Sequence, residues 1–181
     1  MRTLILASLV FLAAGCTIAQ RPDFNKKWII RGNGAIAIQR VNNFNTGTYD
    51  LSTETMKFLS PNLAAGAHLG YTAEHADYGT PFSTSLSFFE IGPAAMMVFD
   101  AQKGGLVPYG LASLGISELR ATGANDSGLY AIFQAGALFF LTDKWSLDAY
   151  IRHASEDVAA THLQTLTLGV GLAVLFDDAK E

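Results

Sequence analysis

Charged side chains are scarce in this sequence, which holds 12 Lys and Arg and 16 Asp and Glu among 181 residues. Their share of 15% is clearly below the ~25% that is usual in soluble domains. The net charge of −4 leaves no basic surface for nucleic acid, so nucleic acid is excluded as a partner. Cysteine occurs once, at Cys16, and a single cysteine excludes an intramolecular disulfide.

Long apolar runs are also missing: after residue 20, no stretch approaches the ~20 residues of a membrane-spanning helix. Yet hydrophobic residues make up 50% of the chain. Since the apolar residues do not form long runs, they must alternate with small or polar residues, as they do in the strands of a transmembrane β-barrel. The stretch 166–176 (LTLGVGLAVLF) carries Leu, Val and Phe on one face and mainly Gly, Thr and Ala on the other. It predicts the closing strand of such a barrel.

Seven further segments predict strands, and together with 166–176 they form one domain over residues 28–176. Tight turns alternate with longer loops, a spacing that is typical of outer-membrane barrels. We therefore predict an all-β fold, an eight-stranded antiparallel up-and-down transmembrane β-barrel. The predicted strands are 28–39, 48–58, 63–73, 82–99, 107–117, 129–141 and 145–154. The predicted tight turns are 60–62, 100–105 and 142–144, and the longer loops are 40–47, 75–81, 118–128 and 155–162.

Two local features of these strands lead to further predictions. The hydrophobic phase changes near Phe88, where a β-bulge would bring both halves of the fourth strand into register. Large apolar residues gather at the short-turn ends and predict a girdle at the membrane interface. The girdle residues are Trp28, Phe58, Phe99, Phe139, Phe140, Trp145 and Phe176.

The first 19 residues are typical of a secretory signal peptide, with Arg2 at the start, an apolar core and small residues before residue 20. We expect cleavage after Ala19, a polar periplasmic lead-in over residues 20–27 and a short tail over residues 177–181. The alternative is a lipoprotein signal in which AAGC places a lipid on Cys16.

Four motifs in chain order resemble those of small bacterial outer-membrane barrels. LAAGAHLGY at 63–71 is similar to a third-strand LALGLSLGY, and FFLTDKWSL at 139–147 is similar to a turn YFLTDNWAL. VPY at 107–109 and LGVGL…F at 168–176 match as well. The resemblance covers residues 28–176 and is to the OmpA/OmpX-like outer-membrane β-barrel domain. It implies a monomer exported to the outer membrane of a Gram-negative bacterium, the β-barrel assembly machinery as a partner, and contact with outer-membrane lipids and lipopolysaccharide.

The chain departs from that family at three places. An Arg that the family has in strand four is replaced near Met96, and a Glu in strand five is replaced at Leu111. The family's terminal Phe is followed here by DDAKE, residues 177–181. The first two departures change the family's interior charge network.

Six polar side chains point into the predicted lumen by parity. A charge inside a closed barrel needs a partner, because burying it alone is costly. Since eight strands leave an interior just wide enough for side chains, we expect a hydrogen-bonded plug rather than an ion path, centred on Arg152, Asp148 and Glu90. The six side chains are Glu54, His68, Glu90, Gln134, Asp148 and Arg152.

His153 and Ser155 share the outward, lipid-facing parity near the outer end of strand seven. A Ser beside a His can be an activated nucleophile, and this pair resembles the His-x-Ser of PagL-type lipid A deacylases. That family places Asn directly after the Ser and Glu about a dozen residues on, where this chain has Glu156 and Thr167. Without that acid the triad is incomplete.

The expected function is therefore that of a non-enzymatic barrel with a structural or adhesion-like role through its loops. Neither a cofactor nor a metal is expected, since the four His show no ligand spacing. A PagL-like lipid A deacylase using His153 and Ser155, and a soluble lipocalin-like carrier, are the alternatives.

Overall fold

The computed structural model of the protein describes residues 22–41, 44–77, 83–99, 105–121, 124–158 and 161–177. Eight strands follow one another, each antiparallel to the next, and β8 pairs with β1 to close a barrel. The predicted eight-stranded antiparallel all-β barrel is thereby confirmed. The strands are β1 (Trp28–Val41), β2 (Phe44–Ser60), β3 (Leu63–Asp77), β4 (Ser83–Val98), β5 (Leu106–Ala121), β6 (Ala124–Phe140), β7 (Trp145–Val158) and β8 (Thr161–Phe176).

Some predictions concern residues outside these described ranges. The signal peptide, Cys16, the beginning of the lead-in and the last four residues lie outside the described residues. In the described ranges, no helix is long and apolar enough to cross a membrane.

Side chains alternate between the lumen and the outer surface, as strand geometry requires. The outer surface carries large apolar side chains that are 61–73% exposed, among them Leu51, Leu114, Leu129, Leu166 and Leu168. A water-soluble carrier would present polar side chains here, so the lipocalin-like alternative is wrong.

The strands run further than predicted at the barrel end away from the chain termini. β5 continues to Ala121 and β6 begins at Ala124, so most of the predicted loop 118–128 is strand. The predicted loops 40–47 and 155–162 are likewise mostly strand, and 75–81 is strand up to Asp77. Membrane-spanning strands need only about 9–11 residues, whereas these have 14–17. Beyond the apolar band both faces tolerate polar residues, so turn-forming residues there do not end a ladder that is already in register.

The predicted β-bulge is also absent. β4 pairs with β3 in unbroken register from Met97 to Ser83. The phase change arises because the Phe88 side chain lies in the lumen, where it is 5% exposed. An apolar side chain on the inward parity needs no bulge if it packs among the other lumen side chains.

Part of the predicted aromatic girdle is wrong. Phe58 and Phe140 lie on the inward parity of their strands and are 2% and 1% exposed. Phe139 is half-buried. The four that do lie exposed on the outer surface are Trp28, Phe99, Trp145 and Phe176.

The lead-in before β1 closes the barrel at the end where the chain begins. The Phe24 ring is buried and stacks on Phe58, with 4.7 Å between ring centroids. It meets Phe140 edge-on at 5.8 Å. An Asx turn holds the segment, because the Asp23 Oδ1 accepts from the Asn25 N–H at 2.9 Å. The segment predicted only as polar is therefore part of the core.

Three interior tyrosines each lie over a glycine that is directly paired with them on the neighbouring strand. The pairs are Tyr109↔Gly136, Tyr130↔Gly115 and Tyr150↔Gly169. A Cβ atom on any of these glycines would collide with the tyrosine ring. Glycine weakens a strand interior unless another group approaches closely, and in this narrow lumen the rings fit because their partners have no side chain. This arrangement explains the glycine on the small face of β8.

The barrel is closed along only part of β1 and β8. The two strands pair from Trp28↔Phe176 to Gly34↔Val170. β1 nevertheless continues to Val41 on β2, and β8 begins at Thr161 on β7. Within the described part of the chain, residues 35–41 of β1 and 161–169 of β8 have no ladder partner in each other. We call this stretch the open seam.

We predict that Gly115→Ala destabilises the barrel and that Gly110→Ala, in the same strand, does not. A Cβ on Gly115 would lie 2.7 Å from the Gly92 Cα and 2.8 Å from the Tyr130 ring. Overpacking of this kind costs about 1–3 kcal/mol. At Gly110 the nearest neighbouring atom, on Phe99, is 3.9 Å away. Heat-modifiable gel mobility of the refolded variants measures their unfolding temperatures, and equal values would contradict the close approach.

Candidate functional site

Side chains that point into the barrel form two layers. The layer near the chain termini is apolar and includes Phe24, Ile29, Met56, Phe58, Met96, Val98, Val107, Leu138, Phe140 and Leu175. The layer beyond it, which we call the polar layer, includes Arg31, Asn33, Ser52, Glu54, His68, Glu90, Ser113, Ser117, Gln134, Asp148, Arg152 and Glu156, all buried. All six side chains that parity assigned to the lumen lie in the polar layer.

The sequence predicted that Arg152 pairs with Asp148 and Glu90, and this prediction is wrong. Its Nη1 donates to both carboxylate oxygens of Asp50 at 3.0 Å, its Nε donates to the Gln134 Oε1 at 3.2 Å, and its Nη2 donates to Ser52. Four residues along one strand span ~13 Å, so Asp148 faces the same lumen as Arg152 but lies at a different depth. Arg152 instead reaches across the lumen from β7 to β2.

The cation that Asp148 does meet is Arg31, which is not among the six side chains predicted for the lumen network. Arg31 is 0% exposed and donates to the Asp148 Oδ2 through Nη2 and, at 3.2 Å, through Nε. The Tyr109 hydroxyl accepts from the Arg31 Nη2 at 2.5 Å and donates to the Asp148 Oδ1 at 2.9 Å. In β1, Arg31 lies on the face of the strand that does not carry Trp28 and Ile30. The alternation of side chains along β1 therefore already indicates that Arg31 points into the lumen.

His68 bridges two of the remaining carboxylates. Its Nδ1 lies 3.1 Å from the Glu54 Oε1, and its Nε2 lies 3.2 Å from the Glu90 Oε2. Both ring nitrogens donate at once only in the imidazolium form. The Asn33 Nδ2 also donates to Glu54, at 2.7 Å from its Oε2. Glu90 is therefore bound to His68 rather than to Arg152.

Taken together, these contacts link strands that are not neighbours. Arg31 and Asp148 join β1 to β7, and Arg152 and Asp50 join β7 to β2. Arg31–Asp148 lies at a level where β1 and β8 still pair, because Arg31 is paired with Ala173 and Asp148 with Gly171. Arg152–Asp50 lies at the level of the open seam, because Arg152 is paired with Thr167 and Asp50 with Ala35. One of the two ion pairs, Arg152–Asp50, thus crosses the lumen where the backbone ladder of β1 and β8 has ended.

The family's replaced charges also fall inside the barrel. Met96 and Leu111 are 0% and 4% exposed and are paired with each other across β4 and β5. Because both positions hold apolar residues here, neither leaves an unpaired charge in the lumen.

His153 and Ser155 lie on the outer surface and are half-buried. His153 pairs with Phe133 and Leu166 across the sheet, and it borders a lipid-facing groove with Ile151. Thr167, which takes the position of the PagL-type acid, pairs with Arg152 and therefore points into the lumen. The structure does not bring the three positions to one face.

No metal centre occurs among the described residues, since no group of three or more His, Cys, Asp and Glu could hold an ion there.

We predict that Arg31→Ala strongly destabilises the folded barrel. The change leaves Asp148 without its cation in a buried site, and breaking a buried pair from one side costs about 3–5 kcal/mol. Arg120→Ala is the control, because its pair with Glu118 at 2.9 Å is exposed and we expect no measurable change. Urea titration followed by tryptophan fluorescence compares the two. Similar midpoints for both variants would contradict the role given to Arg31.

No curated protein matches this chain. Among solved structures, Neisserial surface protein A (NspA) aligns at 18% identity with a TM-score of 0.60, over 81% of this chain and 96% of that one. The N-terminal β-barrel domain of Pseudomonas aeruginosa OprF aligns at 16% identity with a TM-score of 0.50, over 87% of this chain and 99% of that one. At these identities the likeness is one of fold.

The sequence model of the outer membrane protein beta-barrel domain matches residues 5–176. The match covers all eight strands. An apolar outer face around a polar interior is the arrangement that a barrel in the outer membrane needs. By this match and by its fold, the chain belongs to the outer membrane protein β-barrel domain family.

Proposed function

We propose that the protein is a sealed, non-enzymatic barrel that serves the outer membrane as a structural or adhesion-like component. The observation that carries the proposal is the filling of the lumen by two layers of buried side chains. An eight-stranded barrel has an interior only wide enough for side chains, and here ion pairs and hydrogen bonds link side chains of the polar layer to one another.

The apolar layer supports a sealed lumen most directly. An ion path needs water or polar groups along its whole length, and Phe24, Phe58 and Phe140 stack across the terminal end. Above them, Arg31 and Asp148 are each 0–1% exposed and bound to one another. A solute entering from the other end would meet these residues before it reached the periplasm.

A surface role is supported by the hairpin ends beyond the apolar band. Exposed polar side chains lie there, including Arg120, Asn125, Asp126 and Ser127. NspA, whose barrel this fold resembles, is by name a surface protein. We propose that these hairpins face the outside and present a binding surface to partners at the cell exterior.

The remaining assignments follow from an outer-membrane location. We propose a monomer surrounded by outer-membrane lipids and lipopolysaccharide and inserted by the β-barrel assembly machinery. Export would use the signal peptide, with cleavage after Ala19.

We predict that the folded protein does not conduct ions. Liposomes loaded with a potassium-sensitive dye and carrying refolded barrel should leak no faster than liposomes carrying heat-unfolded protein, because the lumen is filled. Gel mobility of the reconstituted sample verifies insertion of the folded form. Stepwise conductance in planar bilayers from the same sample would contradict the sealed lumen.

The PagL-like alternative rests on His153 and Ser155, which share the outer surface. We predict that lipid A from cells expressing the wild type, Ser155→Ala or Ser127→Ala is identical in mass spectra. Ser127 is an exposed serine on the neighbouring strand and controls for expression. An acyl chain lost with the wild type and Ser127→Ala but retained with Ser155→Ala would establish the enzyme and overturn the non-enzymatic proposal.

A further inference from the structure

The open seam makes the lumen reachable from the side of the barrel. Inward positions of β8 are not fully buried there: Thr165 is exposed, and Thr167 and Gly169 are half-buried. The residues of β7 that pair with Gly169 and Thr167 are buried: Tyr150 is 4% exposed and Arg152 is 2% exposed. The exposure therefore comes from the missing β1 neighbour.

This opening lies within the apolar band. The outward residues Leu166 and Leu168 are 73% and 72% exposed, and β8 continues from them through Val170 and Leu172, which also lie outward. A molecule that entered by the seam would come from the membrane rather than from water. It would need an alkyl chain to lie beside these side chains.

Two buried polar atoms at the start of the seam have no hydrogen-bond partner, the Asn33 Oδ1 and the Tyr150 hydroxyl. The orientation of the Asn33 amide is set by Glu54, which accepts from its Nδ2 at 2.7 Å, so the Oδ1 faces away from Glu54. An unsatisfied buried group of this kind costs about 1–3 kcal/mol. Both atoms belong to side chains that are at most 5% exposed.

Both atoms lie over the same short stretch of β8. The space that a Cβ would take on Gly169 is filled by the Tyr150 ring and hydroxyl, and the space on Gly171 is filled by the Asn33 Oδ1. These glycines share one face, about 6–7 Å apart. Gly171 is paired with Asn33 just inside the last β1 and β8 pair, so the two polar atoms flank the inner end of the seam.

The chemistry of these groups selects the ligand. The Asn33 Oδ1 only accepts, whereas the Tyr150 hydroxyl can donate or accept, so a ligand group must donate one hydrogen bond and can accept another. Phosphates and carboxylates offer no donor and would meet Glu54, Asp50 and Asp148 in the lumen. A quaternary ammonium has no N–H to donate. A neutral hydroxyl group satisfies both atoms.

We propose that the open seam is a lateral binding site for a neutral amphiphile from the membrane. Its hydroxyl hydrogen-bonds the Asn33 Oδ1 and the Tyr150 hydroxyl over Gly169 and Gly171, and its alkyl chain lies beside Leu166 and Leu168. The site opens sideways and does not pass through the apolar layer, so it adds a binding function to a lumen that stays sealed end to end.

The test uses the full folded protein in phosphatidylcholine nanodiscs. Dodecanol, dodecyl phosphate and dodecyltrimethylammonium, each with a diazirine in the alkyl chain, are cross-linked by light, and the labelled residues are mapped by mass spectrometry. The alcohol should label β8 around residues 166–171 several-fold more than either charged probe. Equal labelling by all three probes, or alcohol labelling spread evenly over the barrel, would mean simple partitioning into lipid and would overturn the proposal.

Tyr150→Phe removes the unpartnered hydroxyl and keeps the ring over Gly169, so the barrel should fold as before. Labelling by the alcohol should fall about five- to tenfold, which is the worth of one hydrogen bond. Tyr130→Phe is the matched control, because that tyrosine also lies over a glycine but bonds Ser113 at 2.9 Å, away from the seam. Unchanged labelling in Tyr150→Phe would also overturn the proposal.

Discussion

Backbone hydrogen bonds inside a membrane have to be satisfied by the protein itself, because hydrocarbon offers no partner. This chain meets the constraint by closing eight strands through the ladder between Trp28↔Phe176 and Gly34↔Val170. Closure at this strand number makes the lumen narrow. The narrow lumen in turn requires glycine beneath Tyr109, Tyr130 and Tyr150.

The same narrow interior explains why the charges are organised as they are. A charge with no water around it has to meet its partner directly, and Arg31 and Arg152 each span the lumen to do so. These contacts bind β7 to β1 and β2 from the inside. Arg152–Asp50 lies at the level where β8 and β1 do not pair, so it links β7 to β2 where no β1–β8 backbone ladder does so.

The proposed seal along the axis and the proposed opening at the side are compatible because they lie at different depths. Phe24, Phe58 and Phe140 close the terminal end, whereas the seam begins beyond Gly34. A barrel of this kind can bind a membrane molecule laterally without letting solutes cross.

The alternation of apolar and polar residues along each segment determined the barrel, its strand number and which side chains face the lumen. It could do so because local strand geometry sets the two faces, and one face meets lipid while the other meets the barrel interior. It could not determine where the strands end, since polar residues beyond the membrane extend a ladder as readily as they form a loop. Nor could it determine the partners of Arg152 and Asp148, because contacts across a lumen depend on the relative depth of strands that are far apart in the chain. The burial of Phe24 and the open seam were likewise decided only when the strands closed around a shared interior.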